Sequence, residues 1–246
     1  MSARRYYTLD LSDDFREELR ETLEDMVNPV TIDVFIGPGC ETCDDTVKLL
    51  KVFEEEAPVR DGEKLIKVRI FDKSNPDHAE EFKRQGVERI PSVTLIEGYI
   101  KYTGIPAEEE IRGLVETILR ISEGDSGLEE ETKAVLANLK NTVHIETIVT
   151  PSCPYCPYAV LLANMFAYEA YKQGSRKVIS ETVEAYENPD IADKYGVQSV
   201  PAIALNGVLA FIGVPYEEDF INYVKAAAEG RTEEIVLRQF EDATGL

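Results

Sequence analysis

Landmark residues of the first half of this chain recur in the same order in the second half, and this repeat constrains the fold more than any other feature. At its centre stand two Cys-x-x-Cys motifs 113 positions apart, the CETC motif (Cys40 to Cys43) and the CPYC motif (Cys153 to Cys156). The same offset relates Asn28 to Asn141, Val30 to Val143, Asp33 to Glu146 and Asn75 to Asn188. Later landmarks slip by only a few positions: Gly86 and Gly196, Pro91 and Pro201, Gly104 and Gly213. We interpret this order as a duplicated domain.

The length of the chain fits this interpretation, because 246 residues divide into two halves of ordinary domain size, each able to build its own core. The stretch 122–127 is small and polar, which is typical of a boundary. We expect a first unit over residues 1–121, a linker over 122–127 and a second unit over 128–246. We also expect the two units to pack through a modest interface.

Hydrophobic periodicity predicts the same alternation of elements in each half, which places the chain in the α/β class. A helix precedes a β-branched strand that runs into the Cys-x-x-Cys motif, and a second helix leaves it. A strand, a short helix, a hairpin of two strands and a closing helix follow. One more helix is predicted over 232–241.

Two thiols three residues apart at a strand-to-helix junction can close into a disulfide with little movement of the backbone. The free N–H groups and the dipole at the start of the helix favour a thiolate over a thiol. On this reasoning Cys40 and Cys153 attack, and Cys43 and Cys156 resolve the mixed disulfide. For a single motif, half of a zinc site, a structural disulfide or two buried cysteines remain alternatives.

Composition excludes several other classes of function. A net charge of −21 argues against a nucleic-acid partner, which requires a basic surface. No apolar run approaches the roughly 20 residues of a membrane span, and the first residues lack the apolar region of a signal peptide, so we expect a cytoplasmic protein. The chain has two histidines, and neither belongs to a Ser–His–Asp arrangement. It has no glycine-rich loop that could hold the phosphates of a nucleotide. We expect no cofactor and no metal.

The order strand, Cys-x-x-Cys, helix, X-Pro strand and hairpin resembles the thioredoxin fold, and CPYC matches the glutaredoxin active-site tetrapeptide. Two such units in tandem resemble the protein disulfide oxidoreductases of thermophilic archaea and bacteria, which are relatives of protein disulfide isomerase. The resemblance implies two thioredoxin-like folds, each a mixed sheet flanked by helices. It also implies cis bonds before Pro91 and Pro201, which would face the two dithiols. The backbones of Ile90 and Val200 would then be free to pair with an extended substrate strand.

Two acids and one tyrosine complete the candidate sites. Asp33 and Glu146 occupy matched positions in the apolar strands, seven residues before Cys40 and Cys153. Each is interpreted either as a buried proton shuttle for the second cysteine or as an ordinary solvated acid. Tyr155 is expected to line the substrate groove.

These features predict dithiol–disulfide exchange with protein substrates. A reductase resembling thioredoxin reductase would have to recharge the dithiols, because nothing in the sequence binds a flavin or a nicotinamide. Within the same chemistry, the chain could be a dedicated electron carrier to a peroxidase. From other classes, a structural zinc protein and a chaperone with idle thiols are the alternatives. The three acids around the CETC motif predict that Cys153 is the more acidic of the two attacking thiols.

Overall fold

The computed structural model describes residues 6–231 together with residues 233 and 235. Its helices are α1 (Asp13–Leu23), α2 (Cys43–Glu56), α3 (Ala79–Arg84), α4 (Glu109–Glu123), α5 (Glu130–Ala137), α6 (Cys156–Lys172), α7 (Pro189–Tyr195) and α8 (Glu217–Ala228). Its strands are β1 (Val30–Ile36), β2 (Val59–Arg60), β3 (Glu63–Lys64), β4 (Ile66–Asp72), β5 (Ser92–Leu95), β6 (Ile100–Thr103), β7 (Val143–Val149), β8 (Val178–Glu184), β9 (Ala202–Leu205) and β10 (Val208–Ile212). The helix predicted over 232–241 lies outside the described residues, apart from Glu233 and Ile235.

Eight of these strands form one mixed sheet in the order β10-β9-β7-β8-β6-β5-β1-β4. The α/β class and the repeated order of elements are confirmed. The expectation of a modest interface between the halves is wrong, because β6 and β8 pair in parallel from Ile100 opposite Ser180 to Thr103 opposite Val183. Each is one of the two edge strands of its own half. Pairing them satisfies two rows of backbone groups that would otherwise stay open.

The direction of the strands brings the two Cys-x-x-Cys motifs to the same edge of the sheet. Strands β1, β4, β6, β7 and β8 run in one direction, and β5 and β9 run against them. Since the CETC motif follows β1 and the CPYC motif follows β7, both lie where parallel strands end.

The register of the sheet also puts α2 and α6 on the same face. One row of paired residues runs from Val34 in β1 through Val93, Tyr102 and Thr182 to Thr147 in β7. Paired residues point to the same side of a sheet. Val34 packs in the core with residues of α2, and the Tyr102 hydroxyl accepts a hydrogen bond from Asn164 of α6 at 3.0 Å. A single apolar cluster on this face includes side chains of both halves.

Helices α4 and α6 cover the joint between β6 and β8. Asn164 of α6 also donates to the Thr117 hydroxyl of α4 at 3.0 Å and accepts from Ser180 of β8 at 2.7 Å. Gly113 lets the helices approach closely, since a Cβ at this position would lie 3.3 Å from Pro157. No helix in the described part of the chain is both long and apolar enough to cross a bilayer.

Candidate dithiol sites

The CETC motif forms the turn between β1 and α2. Cys40 and Cys43 are joined by a disulfide with their Cα atoms 5.5 Å apart. The helix begins at Cys43, so Cys40 lies in the turn that leads into its N-terminus. Cys40 is half-buried, whereas Cys43 is only 5% exposed. This difference fits an outer sulfur that meets a substrate and an inner sulfur that resolves.

The CPYC motif has the same geometry at the start of α6. Cys153 and Cys156 form a disulfide with Cα atoms 5.5 Å apart, and the helix begins at Cys156. The backbone N–H of Cys156 donates to the Cys153 sulfur at 3.2 Å. A donor at this place stabilises negative charge on the sulfur. Within the described chain, the polar group that contacts the Cys40 sulfur is instead the Thr42 hydroxyl, at 4.0 Å.

Both X-Pro bonds, Ile90-Pro91 and Val200-Pro201, are cis, as the resemblance implies. The Pro91 carbonyl accepts a hydrogen bond from the N–H of Gly104 at 2.9 Å, and Pro201 accepts one from Gly213 at 2.7 Å. A Cβ on Gly37, three residues before Cys40, would lie 3.0 Å from the Ile90 side chain, so this loop borders the CETC turn. In the part of the chain that is described, no group bonds to the backbone N–H or C=O of Ile90 or Val200.

The loops that follow the two cis prolines differ in exposure. At the CETC site, residues 103–107 are buried, and the Ile105 N–H donates to Glu187 of the second half at 2.7 Å. At the CPYC site, the corresponding loop leaves Val214 39% and Tyr216 81% exposed. Tyr155 of the motif is 67% exposed. The second half of the chain therefore covers one wall of the CETC site, while exposed apolar side chains surround the CPYC motif, whose Cys153 is itself 8% exposed.

Asp33 does not lie where the sequence analysis expected it. It is buried, but it points to the face opposite α2, where both carboxylate oxygens accept hydrogen bonds from Arg69 at 2.6 Å. Gln85, which caps α3, donates to it as well at 2.6 Å. A carboxylate held on the far side of the sheet cannot take a proton from Cys43. The role of proton shuttle is therefore wrong for Asp33.

Glu146 is placed in the same way in the second half. Its neighbours Ile145 and Val149 pack in the core with α6, so Glu146 points to the other face. There its carboxylate accepts a hydrogen bond from the Tyr195 hydroxyl of α7 and lies 3.8 Å from the Lys194 amine. It too is buried, and it too is separated from the dithiol by the sheet.

Glu110 of α4 is a buried acid on the dithiol face that the sequence analysis missed. It is 1% exposed, and neither carboxylate oxygen has a hydrogen-bond partner among the described residues. Burial, helped by the nearby charge of Glu109, raises its pKa to about 8. The repeat matches Glu110 to a second acid, Asp219, 109 positions later, but Asp219 is exposed, so the repeat could not show that Glu110 is buried.

Glu110 lies beside the CPYC motif, although it belongs to the first half. The preceding N–H, that of Glu109, donates to the Pro151 carbonyl at 3.1 Å. One turn later on the same stripe of α4, Gly113 contacts Pro157. The first turn of α4 therefore packs on the start of α6, where Cys156 is fully buried.

Comparison with known proteins agrees with this geometry. The thioredoxin domain family matches twice, over residues 30–116 and 143–225. The crystal structure of a protein disulfide oxidoreductase from Aeropyrum pernix is 63% identical and superposes with a TM-score of 0.90, covering 92% of this chain and 97% of that one. The chain belongs to the protein disulfide oxidoreductases of the thioredoxin family.

Two further relatives show how this oxidoreductase is built. A probable thioredoxin from Methanothermobacter thermautotrophicus is 36% identical over 87 residues, which are 35% of this chain and 98% of that protein. One half of the oxidoreductase thus corresponds to a whole small thioredoxin. An alkylhydroperoxide reductase of Enterococcus faecalis is 22% identical with a TM-score of 0.74, covering 87% of this chain and 99% of that one, which shows a shared fold.

Proposed function

We propose that this oxidoreductase exchanges dithiols and disulfides with other proteins through its CETC and CPYC sites. The observation that carries the proposal is the recurrence of one arrangement in both halves. Each Cys-x-x-Cys pair closes as a disulfide at the start of a helix, and each half has a cis proline whose preceding backbone is unbonded within the described chain. The protein disulfide oxidoreductase of Aeropyrum pernix supports the same activity.

The four cysteines carry the electrons in this exchange. In the direction that reduces a substrate, the thiolate of Cys40 or Cys153 attacks one sulfur of the substrate disulfide and expels the other as a thiolate. The second cysteine of the motif then loses its proton and attacks the mixed disulfide, which releases the substrate as a dithiol. Two electrons and two protons pass to the substrate, and the motif is left as a disulfide. The reverse sequence oxidises a substrate.

Glu110 is the group that we assign to the proton of Cys156. It is buried on the dithiol face beside α6, and a pKa of about 8 lets it both accept and return a proton near neutral pH. A thiol ordinarily has a pKa near 8.5, so the proton would move between groups of nearly matched affinity. Asp33 and Glu146, on the other face of the sheet, are assigned no part in this step.

Substrate binding at the CPYC site is proposed to use an extended protein segment. The Val200 backbone would pair with the segment as a short strand, while the exposed Tyr155 offers apolar contact to its side chains. Ile90 would act in the same way at the CETC site. There the buried loop 103–107 leaves less room, so we expect bulky protein substrates to prefer the CPYC site.

The remaining partners and the location are part of the proposal. A reductase resembling thioredoxin reductase would supply electrons, and the cytoplasm is the proposed compartment. A dedicated carrier to a peroxidase would use the same chemistry. In the structure each cysteine pair closes on itself, which favours exchange over a structural zinc site.

The test is turnover of a protein disulfide by dithiothreitol with the wild type, Cys40→Ser, Cys153→Ser and the double variant. We expect the double variant to be inactive and Cys153→Ser to lose more of the turnover than Cys40→Ser. Full activity in the double variant would contradict the proposal. Circular dichroism of each variant separates loss of chemistry from loss of fold.

A further inference from the structure

One carboxylate of the second half reaches into the CETC site of the first. Glu187 lies just beyond the end of β8, and its Oε2 atom accepts a hydrogen bond from the Thr42 hydroxyl at 2.5 Å. Its other oxygen, Oε1, accepts the Ile105 N–H at 2.7 Å. Glu187 thus bridges the motif itself and the loop that leaves the cis proline Pro91.

The Thr42 hydroxyl contacts both this carboxylate and the attacking sulfur of Cys40. It has a single proton, and that proton is donated to Glu187. The oxygen can then offer the Cys40 sulfur, 4.0 Å away, only its lone pairs. Lone pairs can accept an S–H but repel a thiolate. The carboxylate, one hydroxyl group away, disfavours a thiolate further through its negative charge.

We propose that Glu187 is a positioning residue for the CETC site, which acts through Thr42 to keep Cys40 protonated and this pair the more strongly reducing of the two. The proposal rests on the exchange function described above. It assigns to the second half a control over the chemistry of the first. A less stable thiolate makes a poorer leaving group, so the CETC disulfide is harder to reduce and its dithiol is the better donor of electrons.

The other charged groups around the motif do not offset this effect. Glu41 and Asp44 are exposed acids of the motif and of α2, and Asp45 is bonded to Tyr7 and Lys48. Charged groups on the packed elements are Lys73 beside Gly37, Glu184 bonded to the Glu187 N–H, and Arg89 committed to Asp190. Glu41 and Asp44 add to the negative field of Glu187. Lys48 and Lys73 have the opposite charge, but their side chains are exposed, so solvent screens them.

Among the described residues, the CPYC motif has no hydroxyl acceptor beside its attacking sulfur and has a hydrogen-bond donor there instead. The residue that corresponds to Thr42 is Tyr155, whose side chain is 67% exposed. Cys153 instead receives the N–H of Cys156. The same backbone turn therefore carries an acceptor beside its sulfur in one half and a donor in the other.

The experiment measures alkylation of Cys40 against pH in a Cys153→Ser/Cys156→Ser background. We expect Glu187→Gln to lower the apparent pKa of Cys40 by about half a unit to one unit, so alkylation at pH 6 becomes roughly three- to tenfold faster. Thr42→Val should give a smaller shift, because the charge of Glu187 remains. In a protein that already carries Thr42→Val, Glu187→Gln should shift the pKa of Cys40 by less than it does in the protein that keeps Thr42.

A second measurement follows the fraction of reduced CETC pair at a fixed ratio of oxidised to reduced glutathione, which should rise with Glu187→Gln. The control is Cys153 alkylation in a Cys40→Ser/Cys43→Ser background, which Glu187→Gln should leave unchanged. Glu187→Gln could also loosen the hydrogen bond between the Ile105 N–H and Glu187. Thr42→Val leaves that bond in place, so this variant reports on the Thr42 hydroxyl alone.

An unchanged Cys40 titration in both variants, or an equal shift at Cys153, would overturn the proposal. Failure of the exchange function would look different. In that case the thiols would titrate as expected here, but the wild-type protein would not turn over a protein disulfide.

Discussion

Asp33 and Glu146 lie in one cross-strand row, on the face of the sheet opposite the two dithiol helices. The row runs from Asp33 through Thr94, Lys101 and Glu181 to Glu146. Every residue of this stretch is polar, and its members bond to each other or to α3 and α7. The matched acids of the repeat are therefore parts of a structural network that spans the joint between the halves.

Replacement of Asp33 by asparagine should lower stability and leave the thiol chemistry intact. The variant loses the paired contact with Arg69, which is 45% exposed and returns to water, so we expect a cost of about 1–2 kcal/mol in the free energy of unfolding. Denaturant unfolding measures this cost. The alkylation profile of the CETC cysteines is the second readout. Slower resolution of a mixed disulfide at Cys43 would restore Asp33 as a proton shuttle.

Strand periodicity explains both what the sequence could predict here and where it misled. The repeat located both motifs, the strands before them and the helices after them, because these features depend on local patterns. The same alternation puts Val30, Ile32 and Val34 on the α2 face, and hence Asp33 on the other face. The repeat correctly predicted that Asp33 and Glu146 are equivalent. It wrongly suggested that they lie on the face of the sheet that carries the dithiols.

The joint between the halves depends on interactions that no local pattern encodes. Pairing of β6 with β8 brings two edges together that are far apart in the sequence. It also packs α4 on α6 and thereby buries Glu110 beside a motif of the other half. Neither Glu110 nor Glu187 was singled out by comparing the halves, because the surroundings that give each its role come from the opposite half of the chain.

Stability should fall as pH rises from about 4.5 to 8 because of Glu110. Its pKa is raised from 4.5 to about 8 in the folded state, so between these values the folded protein binds more protons than the unfolded chain. Burial also raises the pKa of Glu184 to about 7, which adds to the slope. In Glu110→Gln the melting temperature should fall less steeply across this range. Parallel curves for the variant and the wild type would show that Glu110 titrates normally.

Cys153 should be the more acidic of the two attacking thiols. Its sulfur accepts an N–H in the structure, whereas Cys40 faces an acceptor and the acids Glu41 and Asp44. We expect the pKa of Cys153 to be lower by about one unit at low salt. Iodoacetamide alkylation against pH, on proteins with one motif changed to serines, gives both values. Added salt should narrow the gap, because it screens the exposed acids. Cys40 titrating at or below Cys153 would reverse the ranking.

The two halves should unfold together in a single transition, because they share a sheet and a core. Asn164 tests this coupling, since its fully buried amide joins Tyr102 and Thr117 of the first half to Ser180 of the second. Asn164→Ala leaves these groups without a partner, so we expect a loss of about 2–4 kcal/mol and one calorimetric peak at a lower temperature.

Asn222→Ala is the matched control, because Asn222 is exposed and its amide bonds within α8, to the Glu218 carbonyl. It should change stability by less than about 0.5 kcal/mol. The decisive comparison is the shape of the transition. If Asn164→Ala splits the peak in two, with one part left at the wild-type temperature, then the halves fold independently and the β6–β8 pairing contributes little to cooperativity. A single shifted peak means that the backbone ladder and the shared core bind both dithiol sites into one folding unit.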